Sequence, residues 1–278
     1  MSSPTWHGKG GLTPPAVRGL AWLRVARRGL GVIALLLVGV LAVLLLRLPE
    51  RALAGPRRPL TGPLVQGVCR ASLAIIGLRW RAIGQPMRQP GPAVANHSSW
   101  LDILTLGAAV PVFFVSKDEV RHWPGVNILT AVTNTHFVSR DPAQARAQAE
   151  ALSARTRAGH RLLFFPEGTS TDGRRVLPFK SALFQAFLHP AMPDDLAIQP
   201  LTVVYQAPAG SDPRLYGWWS DMALGPHLLA VLAQKPQGRV TVILHPPIPV
   251  AGETRKTLAA KAEASVRAGF RDAGERCV

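Results

Sequence analysis

Apolar residues are concentrated in two long runs near the N-terminus. The first run, Leu30 to Leu46, contains no charged residue, and the second extends from Leu64 to Leu78. The first run is close to the lower limit of the ~17–25 residues that cross a bilayer, and no small-residue cleavage site follows it. Arginines flank it on both sides: Arg24, Arg27, Arg28, Arg47, Arg51, Arg57 and Arg58. The pattern therefore predicts a membrane anchor that remains in the mature protein.

The orientation of this anchor is open. Arginines at both ends give no preference under the positive-inside rule. A single crossing from a cytoplasmic N-terminus would carry the rest of the chain out of the cytoplasm. The second apolar run would instead allow a hairpin, or a pair of helices lying in the interface, with both ends cytoplasmic. We favour this second arrangement.

From about Gly84 the pattern changes to short apolar runs that alternate with helical stretches. The predicted strands are Ala93–Ala95, Val112–Ser116, Thr135–Ser139, Arg161–Phe165, Ala197–Tyr205 and Arg239–His245. The predicted helices are Trp100–Ala109, Ala143–Ala158, Pro178–Leu188 and Arg255–Phe270. Such alternation predicts an α/β fold with a mixed, largely parallel sheet flanked by helices. In these sheets, functional residues gather where the strands end.

Composition narrows the possible partners. The chain has 32 Lys and Arg against 16 Asp and Glu, a net charge of +16. This excess attracts nucleic acid, anionic membranes or phosphate-bearing molecules. The chain has no nucleic-acid-binding motif, and its basic clusters lie beside a long apolar run. A membrane is therefore the favoured partner, and nucleic acid is not expected. The cysteines, Cys69 and Cys277, form neither a disulfide framework nor a zinc-site spacing, so no metal is expected.

The first motif with chemical potential is Asn-His-Ser-Ser-Trp-Leu-Asp at 96–102, which follows a predicted strand and opens a helix. The His97 imidazole suits removal of a proton from an alcohol near neutral pH. A carboxylate such as Asp102 can accept the other ring N–H and stabilise the imidazolium that forms. A second interpretation stays open, because Ser99 and Asp102 also have the spacing of a helix-capping arrangement.

The second motif is Phe-Phe-Pro-Glu-Gly-Thr at 164–169, at the end of a predicted strand. Gly168 permits a tight turn and a close approach of the backbone to a ligand, and N–H groups there can receive an anion. Taken alone, the segment also fits an ordinary junction between a strand and a turn.

The ordered pair of motifs, N-H-x4-D and then F-P-E-G-T, resembles the glycerolipid acyltransferases of the 1-acyl-glycerol-3-phosphate acyltransferase type. Phe137–Arg140 and Pro178–Lys180 fit further blocks of that family, and the resemblance covers about residues 70–250. It implies the glycerolipid acyltransferase-like fold after a membrane-embedded helical element. The expected divisions are a basic N-terminal segment at 1–28, a membrane-anchoring helical element at 29–80 and an acyltransferase domain at 81–278.

The resemblance also assigns residues to roles. It makes His97 the catalytic base and Asp102 its partner. Acceptor binding is assigned to Arg140, Glu167, Gly168, Thr169 and Lys180. Lys117 and Glu119 match a further block, although a solvated charge pair explains these two equally well. The implied co-substrate is acyl-CoA or acyl-carrier protein, with no cofactor.

One departure from the family bears on the acceptor. Members that form phosphatidic acid usually read E-G-T-R, whereas this chain has Ser170 at the fourth position. Loss of the guanidinium removes a bidentate phosphate contact, which Arg174 or Arg175 would have to replace. The wider sequence, including Gly217–Met222, is similar to bacterial lyso-ornithine lipid acyltransferases, whose acceptor has a zwitterionic head group. Asp172 or Asp221 could then face its amine.

These observations predict an O-acyltransferase at the cytoplasmic face of the bacterial inner membrane. It would transfer a fatty acyl group to the hydroxyl of a lysolipid, most simply lyso-ornithine lipid. A phosphatidic-acid-forming acyltransferase is the alternative. A lipid hydrolase and a non-catalytic basic membrane adaptor are further alternatives; the first would release fatty acid without an acceptor, and the second would be inert.

Overall fold

The computed structural model describes residues 6–8, 10–55, 59–118, 135–138 and 142–275. Predictions that concern Arg140 and Glu119, as well as the end of the predicted strand at Ser139, lie outside the described residues.

An N-terminal pair of helices precedes a sheet whose strands alternate with helices. The helices are α1 (Ala21–Ala54), α2 (Thr61–Ile76), α3 (Asp102–Ala109), α4 (Ala145–Arg157), α5 (Leu224–Ala233) and α6 (Arg255–Glu275). The strands are β1 (Arg79–Ile83), β2 (Ala93–Ala95), β3 (Phe113–Lys117), β4 (His136–Val138), β5 (Leu162–Phe164), β6 (Ala197–Gln206), β7 (Arg239–Leu244) and β8 (Ile248–Pro249).

The strands form one sheet in the order β1-β7-β6-β2-β5-β3-β4, with β8 paired to β6. Neighbours are parallel except where β6 meets β7 and β8. The prediction of a mixed, largely parallel sheet is therefore confirmed. Strands β2 and β5 are buried throughout, as expected for parallel strands covered on both faces.

Two apolar clusters cover the sheet. One contains Leu73 of α2, Leu106 of α3 and Val231 of α5, and the other contains Leu152 of α4 and Leu258 of α6. The sheet therefore lies between two helical layers, with α2 packed into one of them.

One predicted helix was wrong. Over the predicted Pro178–Leu188, the structure contains only a 3₁₀ helix at Ala182–Phe187. The preceding backbone is held by other partners: the Phe179 N–H donates to Glu263 Oε2, and the Lys180 N–H donates to the Pro166 carbonyl. These bonds hold the segment outside a helix. Because they join residues that are distant in the sequence, a local pattern could not predict them.

Helices α1 and α2 pack as an antiparallel hairpin. A Cβ atom built on Gly39 would lie 2.9 Å from Val68, and one on Gly31 would lie 3.1 Å from Ile75. Helix α1 begins at Ala21, ahead of the boundary expected at residue 29. Within the described part of the chain, α1 is the helix long and apolar enough to cross a membrane, and only 11% of its most apolar window is buried.

The hairpin is tied to the rest of the protein at its base. Arg24 Nε donates to the Ala233 carbonyl at 2.9 Å, and Arg28 Nη1 donates to the Leu232 carbonyl at 2.7 Å. Both arginines thereby satisfy carbonyls that the C-terminus of α5 leaves without helical partners. Gly77, which follows α2, also lies beside the Arg28 guanidinium. The chain therefore enters and leaves the hairpin at the same end.

Candidate active site

Two neighbouring strands bring the two sequence motifs together. Strands β2 and β5 are parallel, with Val94 opposite Phe164, so their carboxyl ends share one edge of the sheet. His97 follows β2 and Glu167 follows β5, and the His97 N–H donates to Glu167 Oε1 at 2.9 Å. The site thus lies where an α/β sheet usually places its chemistry.

His97 and Asp102 form a direct pair. The distance from His97 Nδ1 to Asp102 Oδ2 is 2.7 Å, with the histidine side chain 22% exposed and the carboxylate fully buried. Because a carboxylate can only accept, Nδ1 carries the proton and Nε2 is the basic nitrogen. The ring stacks on Phe165 with the centroids 4.0 Å apart. The His97 imidazole is therefore oriented by two neighbours and still accessible.

The Asp102 carboxylate accepts hydrogen bonds from the backbone of the turn as well as from the histidine ring. Besides His97, Oδ2 accepts the N–H groups of Ser98 at 2.7 Å and Ser99 at 3.0 Å. This is the carboxylate half of a capping arrangement, while Ser99 Oγ is buried and has no hydrogen-bond partner among the described residues. The two sequence interpretations are therefore compatible, since one carboxylate fixes both the turn and the imidazole.

Tyr205 completes the pair and was missed by the sequence analysis. This residue lies on β6, the other neighbour of β2, and its hydroxyl donates to Asp102 Oδ1 at 2.8 Å. Burial, and then the Asp102 charge, raise the pKa of Tyr205 well above its usual value, so the hydroxyl remains a donor. Its position near the end of an apolar strand indicated burial only; the contact depends on the strand order.

Glu167 braces the histidine turn. The residue is 2% exposed, and its carboxylate oxygens accept the N–H groups of His97 and, at 3.0 Å, of Leu177. Burial raises the pKa of Glu167 to about 8, although the two N–H donors oppose this shift. The structure therefore shows Glu167 bound to backbone on both sides of the site, and its contact with an acceptor stays a prediction.

The remaining predicted residues surround the same turn. Gly168 has φ +71°, and a Cβ there would lie 3.0 Å from Lys180 Nζ, so the turn requires glycine. Lys180 is exposed over this turn. Thr169 is buried and accepts the Trp6 N–H at 3.4 Å. Arg140 and the Lys117 side chain lie outside the described residues.

Known proteins resemble this chain in sequence over most of its length. The sequence profile described as Acyltransferase matches residues 84–204. A lyso-ornithine lipid O-acyltransferase of Rhodobacter capsulatus is 48% identical over 97% of this chain and 98% of its own length. The chain belongs to the acyltransferase family. A second lyso-ornithine lipid O-acyltransferase, from Pseudomonas aeruginosa, is 32% identical over 89% of this chain and 94% of its own length.

More distant members of the family match a smaller part or share the fold alone. A 1-acyl-sn-glycerol-3-phosphate acyltransferase of Neisseria gonorrhoeae is 34% identical over 37% of this chain and 44% of its own length. The crystal structure of a 1-acyl-sn-glycerophosphate acyltransferase from Thermotoga maritima superposes with a TM-score of 0.59 at 20% identity. It covers 90% of this chain and 98% of that one, which confirms the acyltransferase fold.

A cleft of about 390 Å³ lies beside the histidine turn of the acyltransferase. We call it the arginine cleft; its lining includes Trp6, Asp172, Arg174, Arg175, Asp212, Arg214 and Trp219. Asp172, one of the two acidic candidates from the sequence, lines it, whereas Asp221 does not. Within the described residues, no group of His, Cys, Asp or Glu side chains is arranged to hold a metal.

Proposed function

We propose that this acyltransferase transfers a fatty acyl group from a thioester to the hydroxyl of lyso-ornithine lipid, with His97 as the base. The observation that carries the chemistry is the 2.7 Å bond between His97 and the buried Asp102, which leaves Nε2 available. The acceptor assignment is supported by the nearly full-length similarity to the Rhodobacter capsulatus protein.

In the proposed reaction, His97 Nε2 takes the proton of the acceptor hydroxyl as the oxygen attacks the thioester carbonyl carbon. The tetrahedral intermediate collapses, the C–S bond breaks, and the imidazolium returns the proton to the departing thiolate. Asp102 stabilises the imidazolium through its bond to Nδ1. Base assistance of this kind contributes about 10²–10⁴ in rate.

Donors for the intermediate's oxyanion would have to come from groups that are not already engaged. The Gly168 N–H donates to the Phe165 carbonyl, and the Gly173 N–H donates to Thr171 Oγ1 at 3.3 Å. The N–H groups of these two turn glycines are therefore occupied, and we do not assign them to the oxyanion.

The proposed donor is acyl-carrier protein or acyl-CoA, and the proposed location is the cytoplasmic face of the bacterial inner membrane. Both donors are cytoplasmic thioesters. A hairpin whose two ends meet at Arg28 and Gly77 would keep the preceding and following residues on one side of the bilayer. The net charge of +16 would favour anionic lipid and an acidic carrier.

A comparison of acceptors tests this proposal. Membranes containing the chain would receive a thioester donor with a labelled acyl group, on acyl-carrier protein or on CoA. The acceptor would be lyso-ornithine lipid, lysophosphatidic acid or none. Membranes containing the His97→Ala variant would serve as the blank. We expect His97-dependent ester formation on lyso-ornithine lipid. Preferential formation of phosphatidic acid would replace the acceptor assignment, and fatty acid release without acceptor would indicate a hydrolase.

A further inference from the structure

The arginine cleft is joined directly to the catalytic turn. The Thr171 N–H donates to the His97 carbonyl at 3.0 Å, and the Trp218 N–H donates to the Ser98 carbonyl at 2.8 Å. The next residue after each of these, Asp172 and Trp219 respectively, lines the cleft. The cleft therefore adjoins the backbone of the histidine turn.

Its charges are arranged as two closed pairs and one open cation. Arg175 donates to both oxygens of Asp172, at 3.2 and 3.0 Å, and Arg214 does the same to Asp212, at 3.0 and 2.8 Å. Arg174 is exposed, and within the described residues no carboxylate lies in ion-pair distance of its guanidinium. The cleft therefore offers one unneutralised guanidinium, which matches a single carboxylate rather than a phosphate monoester of charge about −1.5 to −2.

The same cleft also has acceptors for a cation. A carboxylate has about four lone-pair positions. In Asp212, Oδ1 accepts the N–H and Nε–H of Arg214, and among the described residues Oδ2 accepts only the Nη2–H of Arg214. One position on Oδ2 thus stays available, and this side chain is 32% exposed. The Trp6 and Trp219 rings also line the cleft, but they already lie beside the Arg175 and Arg214 guanidinium groups, so the acceptor for an ammonium group is the Asp212 carboxylate.

Residues ahead of the membrane helix form one wall of the cleft. Arg175 Cζ lies 4.9 Å from the ring centroid of Trp6, and the ring centroids of Trp6 and Trp219 are 6.3 Å apart. Trp219 Nε1 donates to the Gly10 carbonyl at 3.0 Å, and His7 Nδ1 lies 3.2 Å from Ser220 Oγ. The segment before α1 is therefore attached to the cleft at several points.

We propose that the arginine cleft binds the zwitterionic amino-acid head group of the acceptor, with the carboxylate on Arg174 and the ammonium on Asp212, and that Trp6 forms one wall of this site. This inference rests on the proposed function and assigns its head-group site. A head group held there is joined by a short amide spacer to the chain that carries the reacting hydroxyl. The cleft would therefore place that hydroxyl near His97.

The test pairs a change in the protein with a change in the lipid. Acceptor KM would be measured for lyso-ornithine lipid and for its carboxyl methyl ester, with wild type, Arg174→Ala and a control, Arg255→Ala. Arg255 is exposed at the start of α6 and does not line the cleft. In wild type and the control, the methyl ester should raise KM about 10-fold, the effect of losing a charge-assisted hydrogen bond. Arg174→Ala should show this higher KM for both lipids and no longer distinguish them.

Two results would overturn the head-group assignment. One is an Arg174→Ala variant that still distinguishes the acid from the ester as wild type does. The other is an equal KM for Arg174→Ala and Arg255→Ala. A parallel Trp6→Ala variant should raise KM for the acid several-fold, and an unchanged KM would remove the N-terminal wall from the site. Failure of the proposed function looks different, since wild type would then acylate neither lipid.

Discussion

The histidine turn and the arginine cleft are adjacent but built in opposite ways. The turn is held by backbone donors and by buried side chains such as Asp102 and Glu167. The cleft also contains the buried Asp172 and Trp219, but its arginines are partly exposed, with Arg175 and Arg214 54% and 35% exposed. Buried bonds fix a geometry, whereas exposed ion pairs contribute little to stability and can rearrange around a ligand. The difference fits the proposed roles, with chemistry in the turn and recognition in the cleft.

Removing the base should have the largest effect. His97→Ala should lower kcat by about 10²–10⁴ or more, because no other group would take the proton of the acceptor hydroxyl. His189, a partly exposed histidine after the 3₁₀ helix, provides the matched control. Initial rates at equal amounts of membrane-bound protein measure the difference. Comparable rates for His97→Ala and His189→Ala would remove His97 from the mechanism.

Removing the Tyr205 hydroxyl should have an intermediate effect. Tyr205→Phe leaves Asp102 Oδ1 without its 2.8 Å donor inside the core, which should lower kcat about 10-fold. Tyr216→Phe is the control, because this buried hydroxyl donates to Gln237 Oε1 away from the base. Both variants should lose stability, but only Tyr205→Phe should lose kcat. Equal kcat values would reduce Tyr205 to a structural role.

Crowding the contact between turn and cleft should have a smaller effect. In Gly217→Ala the new Cβ would lie 2.8 Å from the Asp172 carbonyl, so the backbone must shift, at a cost of about 1–3 kcal/mol in folding free energy. We expect a raised acceptor KM and a lower unfolding temperature. Gly225→Ala places its Cβ in open space on α5, so it should leave KM unchanged and should not lower the unfolding temperature, because alanine is favoured over glycine in a helix. If the two variants had the same acceptor KM and the same unfolding temperature, the contact between Gly217 and Asp172 would not link the cleft to the turn.

The smallest effect should come from Glu167. Its folded-state pKa of about 8 lies above the ordinary 4.5, so the native state holds the proton more tightly than the unfolded chain. This carboxyl therefore lowers stability progressively as pH rises from about 4.5 through 8, once the buried group must ionise. In Glu167→Gln that decline should be shallower. Thermal unfolding across this range measures it, and an unchanged slope would contradict the buried protonated form.

The sequence predicted strands β2 to β7 and the pair at the centre of the site because both depend on short-range patterns. Val94 and its neighbours form a continuous apolar run, and His97 and Asp102 are only five residues apart in the sequence. Helix α1 exceeded its predicted bounds because its arginines, including Arg24 and Arg28, cap α5 rather than ending the helix.

What could not be predicted depends on contacts between distant segments. Tyr205 reaches Asp102 only because β6 pairs with β2, and Trp6 meets Arg175 across most of the chain. Strand β1 and helix α5 were also absent from the prediction. The N-terminal segment was assigned from its basic composition, which gave no indication that Trp6 would dock on the cleft.

The division between chemistry and recognition is tested most directly by measuring kcat and acceptor KM for Tyr205→Phe and Arg174→Ala in one assay. Tyr205→Phe should lower kcat and leave the acceptor KM near that of wild type, because its partner Asp102 acts on the base. Arg174→Ala should raise the acceptor KM and leave kcat nearly unchanged. If both substitutions change the same parameter in the same direction, the turn and the cleft do not have separate roles.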